Sequence, residues 1–161
     1  MRLTIFAVGR MKSGPEIELV SRYADRLAKS GKALGLEFDG LTEIPESRAQ
    51  TAAQRKAEES GRCAALAAEP STVLILLDER GKSLSSRQFA DRIASWRDGG
   101  TSRAVFALGG PDGHDSSLRD RADLVISFGA QTWPHQLARI MLAEQLYRAV
   151  TILSGHPYHR S

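Results

Sequence analysis

A single cysteine, Cys63, stands among the 161 residues. That excludes an intrachain disulfide and a zinc site built on cysteines, and it suits a reducing compartment. No run approaches the roughly 20 apolar residues that a membrane-spanning helix needs. The apolar stretch at residues 3–8 ends at Gly9-Arg10, too short for the core of a secretion signal and without a small-residue cleavage site. Neither sign of charge dominates: 22 Lys and Arg against 19 Asp and Glu leave +3, with the basic residues scattered. An anionic partner is therefore permitted but not demanded. Repeats, linkers and low-complexity tracts are also missing. These absences lead to the expectation of one cytoplasmic domain over residues 1–161, with no membrane segment.

What the chain does have is alternation. Short apolar runs at residues 3–8, 73–77, 104–108 and 124–128 read as strands, each bounded by charge, Gly or Pro. They are continuous rather than alternating, which predicts strands covered on both faces, as in a parallel sheet. A fifth candidate, residues 36–44, is interrupted by Gly40 as a bulge would be. Helical patterns fill the gaps. Pro15 fits a first turn before Ile17, Val20, Ala24 and Leu27, with Gly31 as a stop. Residues 47–68 favour helix by composition. Ser85 and Gln88 form a capping box before Phe89, Ile93 and Trp96. The expected fold class is α/β, an open, mainly parallel sheet flanked by helices. The last helix, from Pro134 to about Leu153, is apolar around most of its circumference, so it must be buried on more than one side. In a domain of this size one side is expected to meet a second subunit, in a twofold homodimer.

Ligands of open α/β sheets bind beyond the C-terminal ends of the strands, where three segments fall. In Asp78-Glu79-Arg80-Gly81-Lys82-Ser83, the Gly-Lys-Ser matches the end of a P-loop, but the first glycine of that motif would fall at Leu76. Gly109-Gly110-Pro111-Asp112-Gly113 permits close backbone approach to a ligand; alone it also describes a tight turn. Phe128-Gly129-Ala130-Gln131-Thr132-Trp133 leads into Pro134-His135-Gln136, which opens the last helix with free amides. On its own this is equally a strand-to-helix connection with Trp133 in the core. His114 reads as a surface residue, and His135 as a packed or capping neutral residue. In the tail, Pro157 breaks the helical spacing of His156 and His159 and no carboxylate is near, so no metal site is expected.

Taken in order, Leu77-Asp78 with Gly81-Lys82, Gly109 to Gly113, Thr132-Trp133-Pro134-His135-Gln136, Leu142-Ala143-Glu144-Gln145-Leu146-Tyr147-Arg148-Ala149 and His156-Pro157-Tyr158-His159-Arg160 resemble one family. This is the RlmH type of large-subunit rRNA methyltransferase, a small member of the knotted SPOUT superfamily. The resemblance runs from Leu3 to the chain end and is strongest after Val73. It implies a C-terminal deep trefoil knot, a homodimer, and S-adenosyl-L-methionine as cofactor. It further implies that cofactor contacts fall at Leu77, Gly109, Phe128, Gly129, Ala130, Gln131, Thr132 and Trp133. The implied reaction is methylation at N3 of a pseudouridine in 23S rRNA, within the ribosome or its large subunit.

Methyl transfer from a sulfonium is an in-line displacement, so placement is the protein's main work. The imide nitrogen must also lose its proton, which a base or anion-stabilising groups would assist. The candidates are His159, His156 and Tyr158, with Arg139 and Arg160 as contacts to RNA. Two other classes remain open on the residues alone: a non-catalytic RNA-binding protein, and a nucleotide-binding regulator using the Gly109–Gly113 turn.

Overall fold

The computed structural model describes residues 1–160; Ser161, the end of the expected domain, lies outside them. Five parallel strands form one sheet in the order β2-β1-β4-β3-β5. In chain order the elements are β1 (Arg2–Val8), α1 (Pro15–Gly31), β2 (Glu37–Ile44), α2 (Ala52–Leu66), β3 (Thr72–Ser83), α3 (Ser86–Asp98), β4 (Arg103–Leu108), α4 (Ser116–Arg121), β5 (Leu124–Ser127) and α5 (His135–Leu153). A short 3-10 turn, Lys32–Leu34, follows α1.

The continuous apolar runs have a direct cause. Successive strand residues point to opposite faces, and each face carries its own core. On one face Leu3, Ile5 and Ala7 of β1 and Ala104, Phe106 and Leu108 of β4 pack with Leu27 of α1, Phe89 and Ile93 of α3, and Leu142, Leu146 and Val150 of α5. On the other, Phe6, Val8, Leu74, Leu76, Val105 and Ala107 meet Cys63 of α2 and Leu118 of α4. All six residues of β4, the middle strand, are buried.

Local signals placed the helices well. Thr51 and Gln54 cap α2, Ser85 and Gln88 cap α3, each as a reciprocal box. Thus α2 starts at Ala52, not at Ser47, because Thr51 supplies the cap. Pro15 opens α1, whereas Pro134 sits one position before α5, at its N-cap. The register of β1 against β2 slips at Asp39, with Gly40 at φ +108°, the bulge that a glycine in this strand suggested.

One element departs from expectation. β3 does not end at Leu77: after a slip across residues 78–81, Lys82 and Ser83 pair again with Ile126 and Ser127 of β5. Gly81 sits so close to β5 that a Cβ there would lie 2.5 Å from the carbonyl carbon of Ile126. The slip therefore pushes Asp78, Glu79 and Arg80 out over the C-terminal edge of the sheet.

Candidate cofactor cavity

A cavity of about 280 Å³ opens at that edge. Its walls come from the ends of β3, β4 and β5 and the segments after them. Leu77, Gly109, Phe128, Gly129, Gln131, Thr132 and Trp133 all line it; Ala130 is exposed and does not. Three chain segments about 20 to 50 residues apart in sequence are thus brought to one place by parallel pairing.

Each wall has a local reason for its shape. The β4–α4 segment turns back through Gly113, whose N–H donates to the Gly110 carbonyl at 2.9 Å, with Gly113 at φ +82°. After β5, the Ser127 hydroxyl accepts from the Gly129 N–H at 3.1 Å and donates to the Gly129 carbonyl at 2.8 Å. Trp133 Nε1 donates back to the Phe128 carbonyl at 3.3 Å, so this loop is closed on itself. Trp133 is 39% exposed, beside the cavity rather than in the core.

Two titratable groups at the cavity have environments that the sequence did not reveal. Asp78 accepts from the Arg80 N–H at 2.9 Å and pairs with Arg119 at 2.7 Å. Burial raises its pKa, but that amide and the Arg119 and Arg80 guanidinium groups outweigh burial and hold the carboxyl below its ordinary range. His114, read as a surface residue, is 5% exposed. Its Nε2 lies 3.1 Å from the Leu77 carbonyl, and burial pushes its pKa down, partly offset by that hydrogen bond and by Asp78. Asp78 stood in the first strand-edge segment and in the family motif, whereas adjacency to Gly113 was the only sequence signal for His114. His135, by contrast, is exposed at the cavity rim and neither packs nor caps.

The tail candidates lie elsewhere in the chain. Tyr158 stacks against Tyr147 with ring centroids 4.8 Å apart, and its hydroxyl donates to Glu144 Oε1 at 3.1 Å. Burial first, then Tyr23 and Glu144, raise the phenol's pKa, so Tyr158 stays protonated and is a hydrogen-bond donor rather than a base. Arg148 Nη1 lies 3.4 Å from His159 Nδ1, and the Tyr158 N–H donates to His156 Nδ1 at 3.1 Å. In both imidazoles Nδ1 therefore accepts, leaving Nε2 as the N–H. Glu144 lines a second cavity, of about 430 Å³, which shares Ile126, Ser127, Phe128 and Gly129 with the first. Arg160 is exposed.

Arg139 requires a correction. It is 2% exposed, with its guanidinium donating to the Val8 carbonyl at 3.3 Å and the Gly9 carbonyl at 3.0 Å and paired with Glu43. It ties α5 to the end of β1 and has no free face for a phosphate. Among the described residues no cluster of His, Cys, Asp and Glu has metal-ligand geometry, and no helix is long and apolar enough to cross a membrane.

A parallel α/β sheet with its cavity at the C-terminal strand edge defines a ligand-binding domain of the open α/β class. Comparison with known proteins narrows this. Residues 1–159 match the family described as "Predicted SPOUT methyltransferase". The chain is 64% identical over 161 residues, all of both chains, to Ribosomal RNA large subunit methyltransferase H of Brucella anthropi. It is 63% identical, again over all of both chains, to the protein of the same name from Mesorhizobium japonicum. Among solved structures, a probable methylase family protein from Haemophilus influenzae Rd KW20 superposes with a TM-score of 0.54 at 12% identity, covering 99% of this chain and 70% of that one, which speaks for the fold alone. The chain belongs to the SPOUT methyltransferase family, and within it to the type of the large-subunit methyltransferase H proteins.

Proposed function

We propose that this protein is a cytoplasmic rRNA methyltransferase that transfers a methyl group from S-adenosylmethionine to N3 of a pseudouridine in 23S rRNA. The observation that carries this reading is the full-length identity of 64% with a large-subunit rRNA methyltransferase. The cavity agrees with it in place and chemistry. Leu77, Ile126 and Phe128 offer apolar walls for a flat base, and the glycine turn brings backbone within reach of polar groups. Asp78 lines the cavity with both carboxylate oxygens held by Arg80 and Arg119, so it shapes the wall rather than offering a free charge. The residues therefore fit the cofactor, which supplies an activated methyl on sulfur.

What the chain does is bind, orient and stabilise. The loops after β3, β4 and β5 fix the cofactor and so place its methyl group for transfer. Loss of the imide proton to solvent water leaves negative charge on the target base. Nε2–H of His156 and His159, together with exposed Arg160, can donate to that charge, so the tail works by stabilising an anion more than by taking a proton.

The reading includes a homodimer and a knotted C-terminal path. Leu137 at 42% exposure and Trp133 at 39% stand beside half-buried Ile140 and Met141, an apolar surface suited to a twofold contact.

The test is methyl transfer to free 23S rRNA, to the large subunit and to the whole ribosome, with the modified nucleotide mapped by mass spectrometry. Methyl groups on a pseudouridine N3 are expected with at least one of the three. Modification of a different atom, or none with any substrate, overturns the reading.

A further inference from the structure

One side of α2 faces the glycine turn of the cofactor cavity from behind, and three of its side chains reach that turn. Arg55 grips Asp112 with two bonds, Nε to Oδ2 at 2.7 Å and Nη2 to Oδ1 at 3.1 Å. Its remaining nitrogen, Nη1, donates to the carbonyls of Ala49 at 3.1 Å and Gln50 at 3.3 Å, in the linker before α2. One turn on, Glu59 is 5% exposed, and its Oε1 accepts from the Ser47 N–H at 2.8 Å. Its other oxygen, Oε2, has no partner and points at Gly110, where an added Cβ would lie only 2.7 Å away. The Ser60 hydroxyl, also buried, accepts from the Asp115 N–H at 3.0 Å. Residues 110, 112 and 115 of the turn are thus touched by residues 59, 55 and 60 of one helix.

Resting on the assignment of the cavity to the cofactor, we propose that α2 is the positioning element of the glycine turn, with Arg55 its principal positioning residue. In a turn of three glycines, one proline and Asp112, the Asp112 carboxylate is the one side chain that can tie it to its surroundings. The turn's shape must be imposed from outside, and a bidentate guanidinium–carboxylate pair fixes both distance and direction. The buried Glu59 sets the floor beneath Gly110, so the turn cannot sink toward β1. The same helix holds the 47–50 linker, which makes linker and turn one rigid unit. Arg55 itself does not line the cavity; Asp112 does. Lys56 is the other cation near Asp112, but as a flexible point charge it cannot reproduce the fork.

Arg55→Gln, Asp112→Asn and the double variant in the full-length protein provide the test. Each single change is expected to weaken S-adenosylmethionine binding about tenfold, the scale of losing one charge-assisted pair. In the Arg55→Gln protein the KM for cofactor should rise in step while turnover at saturating cofactor stays within about twofold. The double variant should bind no more weakly than either single one, because both remove the same interaction. Amide exchange of ligand-free Arg55→Gln should quicken at Gly113, whose N–H closes the turn, and stay slow throughout β4. Additive losses in the double variant, or unchanged exchange at Gly113, would overturn the proposal. Failure of the unaltered protein to bind S-adenosylmethionine would instead remove the cofactor assignment, while the exchange measurement still decides whether α2 shapes the turn.

Discussion

His114 and Gly109 show how a single position in the cavity is constrained from within the protein rather than by its ligand. Burial disfavours the charged form of His114, whose Nε2–H is directed at the Leu77 carbonyl 3.1 Å away. Asp78 and Arg119 are the charged groups that face it. Its folded pKa is depressed, so the unfolded chain takes up the proton first. The stability it contributes is present in full above the ordinary imidazole value of about 6.5 and is lost as pH falls from there toward the depressed value. Calorimetric Tm should therefore stay level from pH 8 to about 6.5 and decline below, and His114→Gln, which keeps a donor for Leu77, should shallow that decline. Equal slopes for the two proteins would refute the role. Gly109 was expected to be small because the cofactor passes near it. A Cβ there would in fact stand 3.1 Å from the carbonyl carbon of Gly113 and 3.3 Å from His114 Cε1, so a side chain would also press on the turn's own closure. Gly109→Ala should then loosen the turn as well as weaken cofactor binding, visible as faster exchange at Gly113 without ligand. Gly109 was named only by the resemblance to the methyltransferase family, since its place after a strand left a tight turn equally open; His114 was named by neither. A histidine beside a Gly-rich turn is buried only because β3 and α2 happen to close over it, and no local pattern encodes that.

At the scale of elements, α5 illustrates both what patterning reveals and where it stops. Its nearly all-round apolarity was legible, and so was the conclusion that several of its sides are buried. Which sides face a partner was not, because α1, α3 and the sheet inside one chain already cover Leu142, Leu146 and Val150. Leu146 is fully buried in the protomer, so a charge there tests folding rather than assembly. Even Leu146→Ala should cost about 2–5 kcal/mol. The informative change is Leu137→Glu at the exposed position: thermal stability of the protomer should hold while sedimentation shifts from dimer to monomer. A variant that still sediments as a dimer would place the interface elsewhere. Strands were legible for a plain physical reason, since a strand covered on both faces has no room for polar residues. The far end of β3 was not, because polar residues 78–83 return to pairing only through the close fit of Gly81 over Ile126. α4, with six residues, is too short to show a helical period.

At the scale of the whole molecule, the tail folds back on the middle of α5, at Glu144, Tyr147 and Arg148, and does not line the first cavity. Tyr158 anchors the tail, through its packing on Tyr147 and its bond to Glu144. That anchor holds His156, His159 and Arg160 on the α5 surface near the second cavity, which is separated from the first by the Ile126–Gly129 segment. Within one protomer the tail is thus beside the cofactor wall but outside it. Twofold assembly through the exposed end of α5 offers a route by which it faces a partner's cavity. Ending the chain after Gly155 should remove one half-buried aromatic and its hydrogen bond, about 1–2 kcal/mol. For a protein of this length that is a fall in Tm of about 2–8 °C, with the dimer retained. S-adenosylmethionine affinity, measured by calorimetry, should change little, while methyl transfer to RNA should collapse. Replacing Arg160 alone should weaken RNA binding and lower its salt slope by up to about 0.7–0.9, one phosphate contact. Undiminished methylation by the shortened chain would end any role for the tail in the reaction. Loss of cofactor affinity with the dimer intact would mean that the partner's tail forms a wall of the cofactor cavity itself.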